Sequence, residues 1–344
     1  MEGVSYGISP MTKKGTKCYL YFNRVLSEAI LEDNTLQTAI PDFSKIAQSD
    51  CTGIEICEET NGLYQTTDAD GTTYYFRGEI DNNWVSFGGF YWRIIRINGD
   101  GSIRMIYSGV DNGSVTESNR TGSGTAIGRS RFNEESNDNA YIGYMYGTPG
   151  SDTYEETHAN INDSTIKTIL DEWYQNNLLS YSDYISIEAG FCGDRSIYSG
   201  TGIGTGVTLY NANNRLIRGK NPSFYCNNNS NDLYTLSSSS KGNKALTYPI
   251  ALITADELSY AGSIWSIDNK NNYLNSGIIY WSMTPDDMIS STRSMMFILN
   301  SQHLSSAEAK SSTFRIRPVI NLKNNITISK GNGSSSNPYI IETD

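Results

Sequence analysis

The sequence predicts an α+β domain built chiefly from antiparallel hairpins, and three observations carry that prediction. Turn sequences, Asp70-Gly71 and Asn98-Gly99-Asp100-Gly101, separate runs rich in β-branched and aromatic residues, the pattern that closes tight hairpins. One stretch keeps a helical period over a long run: Ile166, Ile169, Leu170, Trp173 and Leu178 share a face, behind Asp163 or Ser164 as N-cap. The apolar fraction is only 38%, yet 24 Tyr, 10 Phe and 5 Trp supply large buriable side chains, which rules out a disordered chain.

Taken in order, Lys17-Cys18-Tyr19-Leu20-Tyr21-Phe22 alternates like a strand, and Val25, Leu26, Ala29 and Ile30 recur at helical spacing before Pro41 closes the segment. One strand and one helix cannot form a core, so residues 1–60 read as a small N-terminal segment, 61–323 as the main domain and 324–344 as a strand-like tail. Thr72-Thr73-Tyr74-Tyr75-Phe76-Arg77 follows the first turn. Residues 84–97 pair with 102–107 across the second, making Phe90-Tyr91-Trp92-Arg93-Ile94-Ile95 a central strand. Further on, 248–253 reads as a short buried strand, and Thr254 with Glu257 forms a capping box for a helix that Gly262 stops. A second short helix follows. Residues 278–283, 294–299 and 314–322 are late strands, whereas 196–208 and 227–244 are Gly/Asn/Ser loops.

The chemistry-bearing residues are sparse. Lys+Arg 26 against Asp+Glu 37 leaves a net charge of −11, the wrong sign for nucleic acid, and no apolar run is long enough to span a membrane. Residues 1–14 lack the apolar core of a secretion signal. The two histidines, His158 and His303, stand far apart and without ligand-spaced partners, so both read as exposed-loop residues rather than as zinc ligands or triad members. Gly202-Ile203-Gly204 lacks the flanking strand and helix of a dinucleotide loop. The acidic turns at Asp68-Ala69-Asp70-Gly71 and Asn98–Gly101 resemble fragments of calcium loops but lack the distal carboxylate, and hairpin turns are the simpler reading. No cofactor is predicted; calcium stays open as an alternative, with Asp81, Asp138, Asp286 and Asp287 able to join such a site in space.

The five cysteines speak to setting. With abundant Asn and Tyr and few charges, the chain resembles secreted material, in which Cys51–Cys57 and Cys192–Cys226 close disulfides. Free buried thiols in a cytosolic protein are the alternative. Cys18 is left over, which suggests a partner on another chain or in a longer one.

Several segments resemble an uncharacterised family of cell-surface proteins of gut Firmicutes, whose main domain is similar to the formylglycine-generating-enzyme branch of the C-type-lectin-like fold. The carriers are residues 91–101 (Tyr91-Trp92-Arg93 through Gly101), 164–174 (Ser164 through Tyr174), Leu252-Ile253-Thr254-Ala255-Asp256-Glu257, Tyr280-Trp281-Ser282-Met283-Thr284-Pro285 and Arg315-Ile316-Arg317-Pro318-Val319-Ile320-Asn321-Leu322. Their order is the specific part. The ending, Gly331 to Ile341, also resembles the terminal segment of such proteins, and the resemblance implies an N-terminal membrane segment that these 344 residues do not include. No cysteine follows Cys226, so the copper-dependent oxidation of formylglycine-generating enzymes, which needs a late cysteine pair, is not implied.

The resemblance places a display region between the aromatic strand and the Arg-Pro strand, residues 286–312. Asp286, Asp287, Arg293, Gln302 and His303 there offer directional hydrogen bonds to hydroxyls or peptide groups. The expected function is therefore non-enzymatic, extracellular binding of a glycan or protein ligand. Two other readings remain: a structural subunit that self-assembles into a surface fibre or array by donating residues 17–22 or Tyr339-Ile340-Ile341 as strands, and an enzyme of unknown class.

Overall fold

Residues 24–290, 293–311 and 314–343 are described by a computed structural model of the chain. Two seven-stranded sheets dominate it, and the described helices are few and short. In the first sheet the expected hairpins close where the turns predict. Gly62–Asp68 pairs with Gly71–Arg77 in register Asp68↔Gly71, and Phe90–Ile97 pairs with Ile103–Val110 in register Ile97↔Ile103. Val319–Leu322 lies on the outer side of Ile103–Val110, and Trp84–Phe87 turns back onto Phe90–Ile97. The second sheet is centred on a meander of Ile279–Met288, Ser294–Asn300 and His303–Glu308. The hairpin Ile197–Ser199 and Thr208–Tyr210 extends it within what reads in sequence as a loop.

Trp92 and Trp281 are fully buried, as strands facing a core require. Trp92 meets Tyr107 and Trp173 edge to face at 5.8 and 6.3 Å. Each indole N–H finds a backbone carbonyl, Phe87 O for Trp92 and Ser130 O for Trp281. The ends of the described chain join the same core. Leu26, Ala29 and Ile30 pack with Ile328 and Tyr339, and Tyr339–Ile340 adds in parallel to Trp84–Phe87. That strand is spent within the chain, which removes it as a strand offered to neighbours. The predicted strand at residues 17–22, with Cys18, lies outside the described residues.

Three expectations are corrected. The long helix is not present: Thr165–Asn177 starts on its predicted cap, with Lys167 N–H donating to Ser164 Oγ, but runs only 13 residues, about 20 Å. Its apolar period ends at Leu178, and the chain tightens into a 3-10 turn over Leu179–Tyr184. Residues 248–253 form no strand, because an apolar run reports burial and not hydrogen-bond partners. Ile250 to Ile253 are fully buried, yet their ladder contact is the single bridge Ala251↔Val319. His158 is no exposed-loop residue. It is fully buried, its Nε2 donates to Gly202 O at 2.9 Å, and burial and the nearby Arg195 charge push it down to about 3, so it is neutral.

Candidate functional site

The predicted display residues are not gathered in one place. Asp286 and Asp287 belong to the Ile279–Met288 strand, and Arg293 sits in the turn closing its hairpin with Ser294–Asn300. Gln302 and His303 lie at the opposite turn, where Asn300 pairs with His303. The seven-residue Ser294–Asn300 strand between the turns spans about 20 Å. The described residues of region 286–312 thus form a meander and not a loop. Asp286 is buried, with Asn213 Nδ2 donating to its Oδ1 at 2.7 Å, and burial raises its carboxyl. Asp287 is half-buried with an Oδ1 that has no partner; burial and the adjacent Asp286 push it up to about 7. Arg293 is exposed, and His303 Nδ1 lies 2.7 Å from Asp268 Oδ1.

A different group of residues lines a cleft. Its floor comes from the central hairpin, where Arg96 and Arg104 stand opposite each other. Two like charges at that spacing repel unless a counter-charge lies between them. Glu257 supplies it: Oε1 forms ion pairs with Arg104 Nε and, at 3.4 Å, with Arg96 Nε. Its other oxygen, Oε2, accepts the Thr254 N–H at 2.9 Å, while Glu257 N–H donates to Thr254 Oγ1 at 3.1 Å. The capping box predicted from Thr254 and Glu257 therefore also fixes the carboxylate that holds two arginines. Burial alone would raise the Glu257 carboxyl, but Arg104 and Arg96 hold it below its ordinary value.

The walls are tied in the same way. Asp68 Oδ2 accepts from Arg96 Nη1 at 2.8 Å and from Gly99 N–H at 2.9 Å, joining the tips of the two hairpins. A Cβ at Gly99 would come within 2.5 Å of Gly71 N, so the approach requires glycine. On the other side Arg215 makes a bidentate pair with Asp256, both contacts 2.8 Å, and reaches Asp194 at 2.9 Å. Burial opposes its charge, but Asp256 and Asp194 hold the guanidinium well above its ordinary value.

Both predicted disulfides are present, Cys51–Cys57 and Cys192–Cys226, and the second lies on the cleft rim. It pins residues 223–226, whose Phe224 stacks on Tyr260 at 3.9 Å beneath the Arg96 guanidinium. Next to it Tyr225 is 49% exposed, its hydroxyl donating to Thr67 Oγ1 at 3.1 Å.

The cleft has two inner chambers of about 60 Å³ each, which share Arg96, Gly190, Phe224, Cys226 and Leu233 as walls. It continues into an outer hollow of about 640 Å³ between Glu188, Ser240 and Lys323. The two acidic turns that read as calcium-loop fragments meet here, and a lysine lies between them: Lys241 Nζ is 2.6 Å from Asp70 Oδ2 and 4.0 Å from Asp100 Oδ2. Sequence reasoning missed Arg104, Asp194, Arg215 and Asp256 as a group. The available signal was charge inside apolar strands, as in Ile94-Ile95-Arg96-Ile97 and Ile103-Arg104-Met105-Ile106; such arginines need a buried acceptor.

Compared with protein-family models, with curated proteins and with solved structures, the chain shows no match.

Proposed function

We propose that this chain is the extracellular, non-enzymatic binding domain of a bacterial surface protein, with a C-type-lectin-like scaffold and a glycan as ligand. The observation that carries the reading is the rim of the cleft: an exposed Tyr225 ring, pinned by the Cys192–Cys226 disulfide, beside fixed hydrogen-bonding charges. A sugar ring offers an apolar face and a fringe of hydroxyls, and this combination of an aromatic plane with oriented carboxylates and guanidinium groups complements both. Two disulfides fit an oxidising compartment, and no described helix is long and apolar enough to cross a membrane.

Binding is favoured over catalysis by how the charges are used. General acid or base work needs a group free to exchange a proton, whereas Glu257, Asp256 and Asp68 are each held by an arginine. A glycan array probed with the isolated chain tests the proposal. A hit lost on Tyr225→Ala, with an unchanged melting temperature, supports it. A hit of equal affinity for that variant moves the site elsewhere, and an array without hits, alongside turnover of a hydrolysable substrate, overturns the binding reading.

A further inference from the structure

The inner chambers are too small for the ligand just proposed. About 60 Å³ holds a few waters, whereas sites for small molecules occupy roughly 300–1,000 Å³. The outer hollow is large enough, so a ligand reaches the inner chambers only if some wall moves. Three walls are fixed: Arg96 and Arg104 on paired strands over a buried carboxylate, Arg215 in a doubly acidic clamp, and residues 223–226 under a disulfide.

The fourth wall is held differently. Lys241, Asp70 and Asp100 line both the second inner chamber and the outer hollow, and Ser240 lines the hollow, so the ion pair at the end of residues 237–241 is the partition. Besides the Lys241 pair, the segment is fastened by one carboxylate and one hydroxyl: Glu188 accepts from Ser239 Oγ at 3.1 Å, from Ser240 N–H at 3.1 Å and from Ser240 Oγ at 2.7 Å, and Thr235 Oγ1 donates to Lys241 O at 2.7 Å. The Ser240 hydroxyl holds the Glu188 carboxyl below its ordinary value. Ser237, Ser238 and Ser240 are exposed and only Ser239 is buried, so the segment carries no apolar anchor. The ends of the segment are firm: Leu246 N–H donates to Thr235 O and Asn243 N–H to Leu233 O, and Gly242 at φ +74° supplies a bend beside Lys241.

We infer that residues 237–241 form a lid, latched by Lys241 to Asp70 and by Ser239 and Ser240 to Glu188, which opens to merge the inner chambers with the outer hollow and admit the ligand. This rests on the cleft being the binding site. Exposed ion pairs and polar contacts of this kind contribute little each, roughly 0–1 kcal/mol, so the closed state is shallow and salt-sensitive. Opening frees Asp70 and Asp100 from the Lys241 charge and gives access to the Oδ1 of Asn98, a buried acceptor without a partner that lines the same chamber.

Amide hydrogen exchange of the whole chain tests the lid without any ligand. In the Lys241→Ala/Glu188→Gln variant, and in the parent at high salt, residues 237–241 should exchange at least tenfold faster while residues 90–97 and 103–110 keep their protection. Unchanged exchange in 237–241 overturns the lid. A second arm uses a glycan hit from the array: the same variant should associate at least threefold faster, and an unchanged association rate for a hit that depends on Tyr225 also overturns it. Fast exchange with a hit indifferent to Tyr225 keeps the lid and refutes the cleft as glycan site, so the two failures are told apart.

Discussion

Arg96 and Arg104 face each other across the central hairpin and are held together by one oxygen of Glu257, whose other oxygen caps the Ala255–Tyr260 helix. Two sheet residues and a helix start thus depend on a single carboxylate. Glu257→Gln should leave both guanidinium groups without a counter-charge. Removing one partner of a buried pair typically costs about 3–5 kcal/mol, a large part of a domain's stability, and urea unfolding measures it. The same carboxyl sets a pH dependence. Because its folded value is depressed, its contribution is present above the unfolded value of about 4.3 and is lost as pH falls through the folded one. The parent should therefore lose stability below about pH 4 more steeply than the Gln variant does.

Asp287 should act in the opposite sense. Its folded value is raised, to about 7, so the folded state favours the protonated acid. Stability linked to this group is fully present below the unfolded value of about 3.9 and is lost as pH rises through 7. Asp287→Asn should raise the melting temperature at pH 8, leave it nearly unchanged at pH 4, and flatten the profile between them. A parent profile already flat over that range would refute this origin.

The five residues of the meander should separate by burial. Arg293→Ala, at an exposed turn, should change stability by no more than about 0.5 kcal/mol. Asp286→Ala should cost about 1–3 kcal/mol, because it strips the acceptor from Asn213 Nδ2 in the interior. Paired thermal melts would show the difference, and equal effects would contradict the buried placement of Asp286.

Those residues also mark where sequence stops being legible. Local rules were readable: the Asp70-Gly71 and Asn98–Gly101 turns, the Ser164 cap and the Thr254/Glu257 box each act within four residues, and each is found where expected. Long-range placement was not. Arg215 meets Asp256 across 41 positions, and Arg104 meets Glu257 through sheet-to-helix packing that no periodicity reports. His158 looked exposed because its neighbours in sequence are polar; it is buried by Gly202 and Tyr210, which arrive from a hairpin that reads as a loop. Polar composition describes a segment's own residues, whereas burial depends on what folds over them.

The Cys192–Cys226 bond offers the last test, since it closes a loop of 34 positions and holds the cleft rim. Loop-closure arguments give about 3–4 kcal/mol for a ring of this length, and about 2 for the six-position Cys51–Cys57 ring. Replacing Cys192 and Cys226 together by Ser should therefore lower stability more than replacing Cys51 and Cys57, as read from urea unfolding without reductant. The rim adds a second consequence. Phe224 keeps its stacking on Tyr260, but the neighbouring Tyr225 loses the covalent tether that fixes its exposed ring, so a glycan should dissociate faster from the Cys192/Cys226 variant alone. Equal dissociation from both double variants would show that the disulfide serves the fold and not the rim.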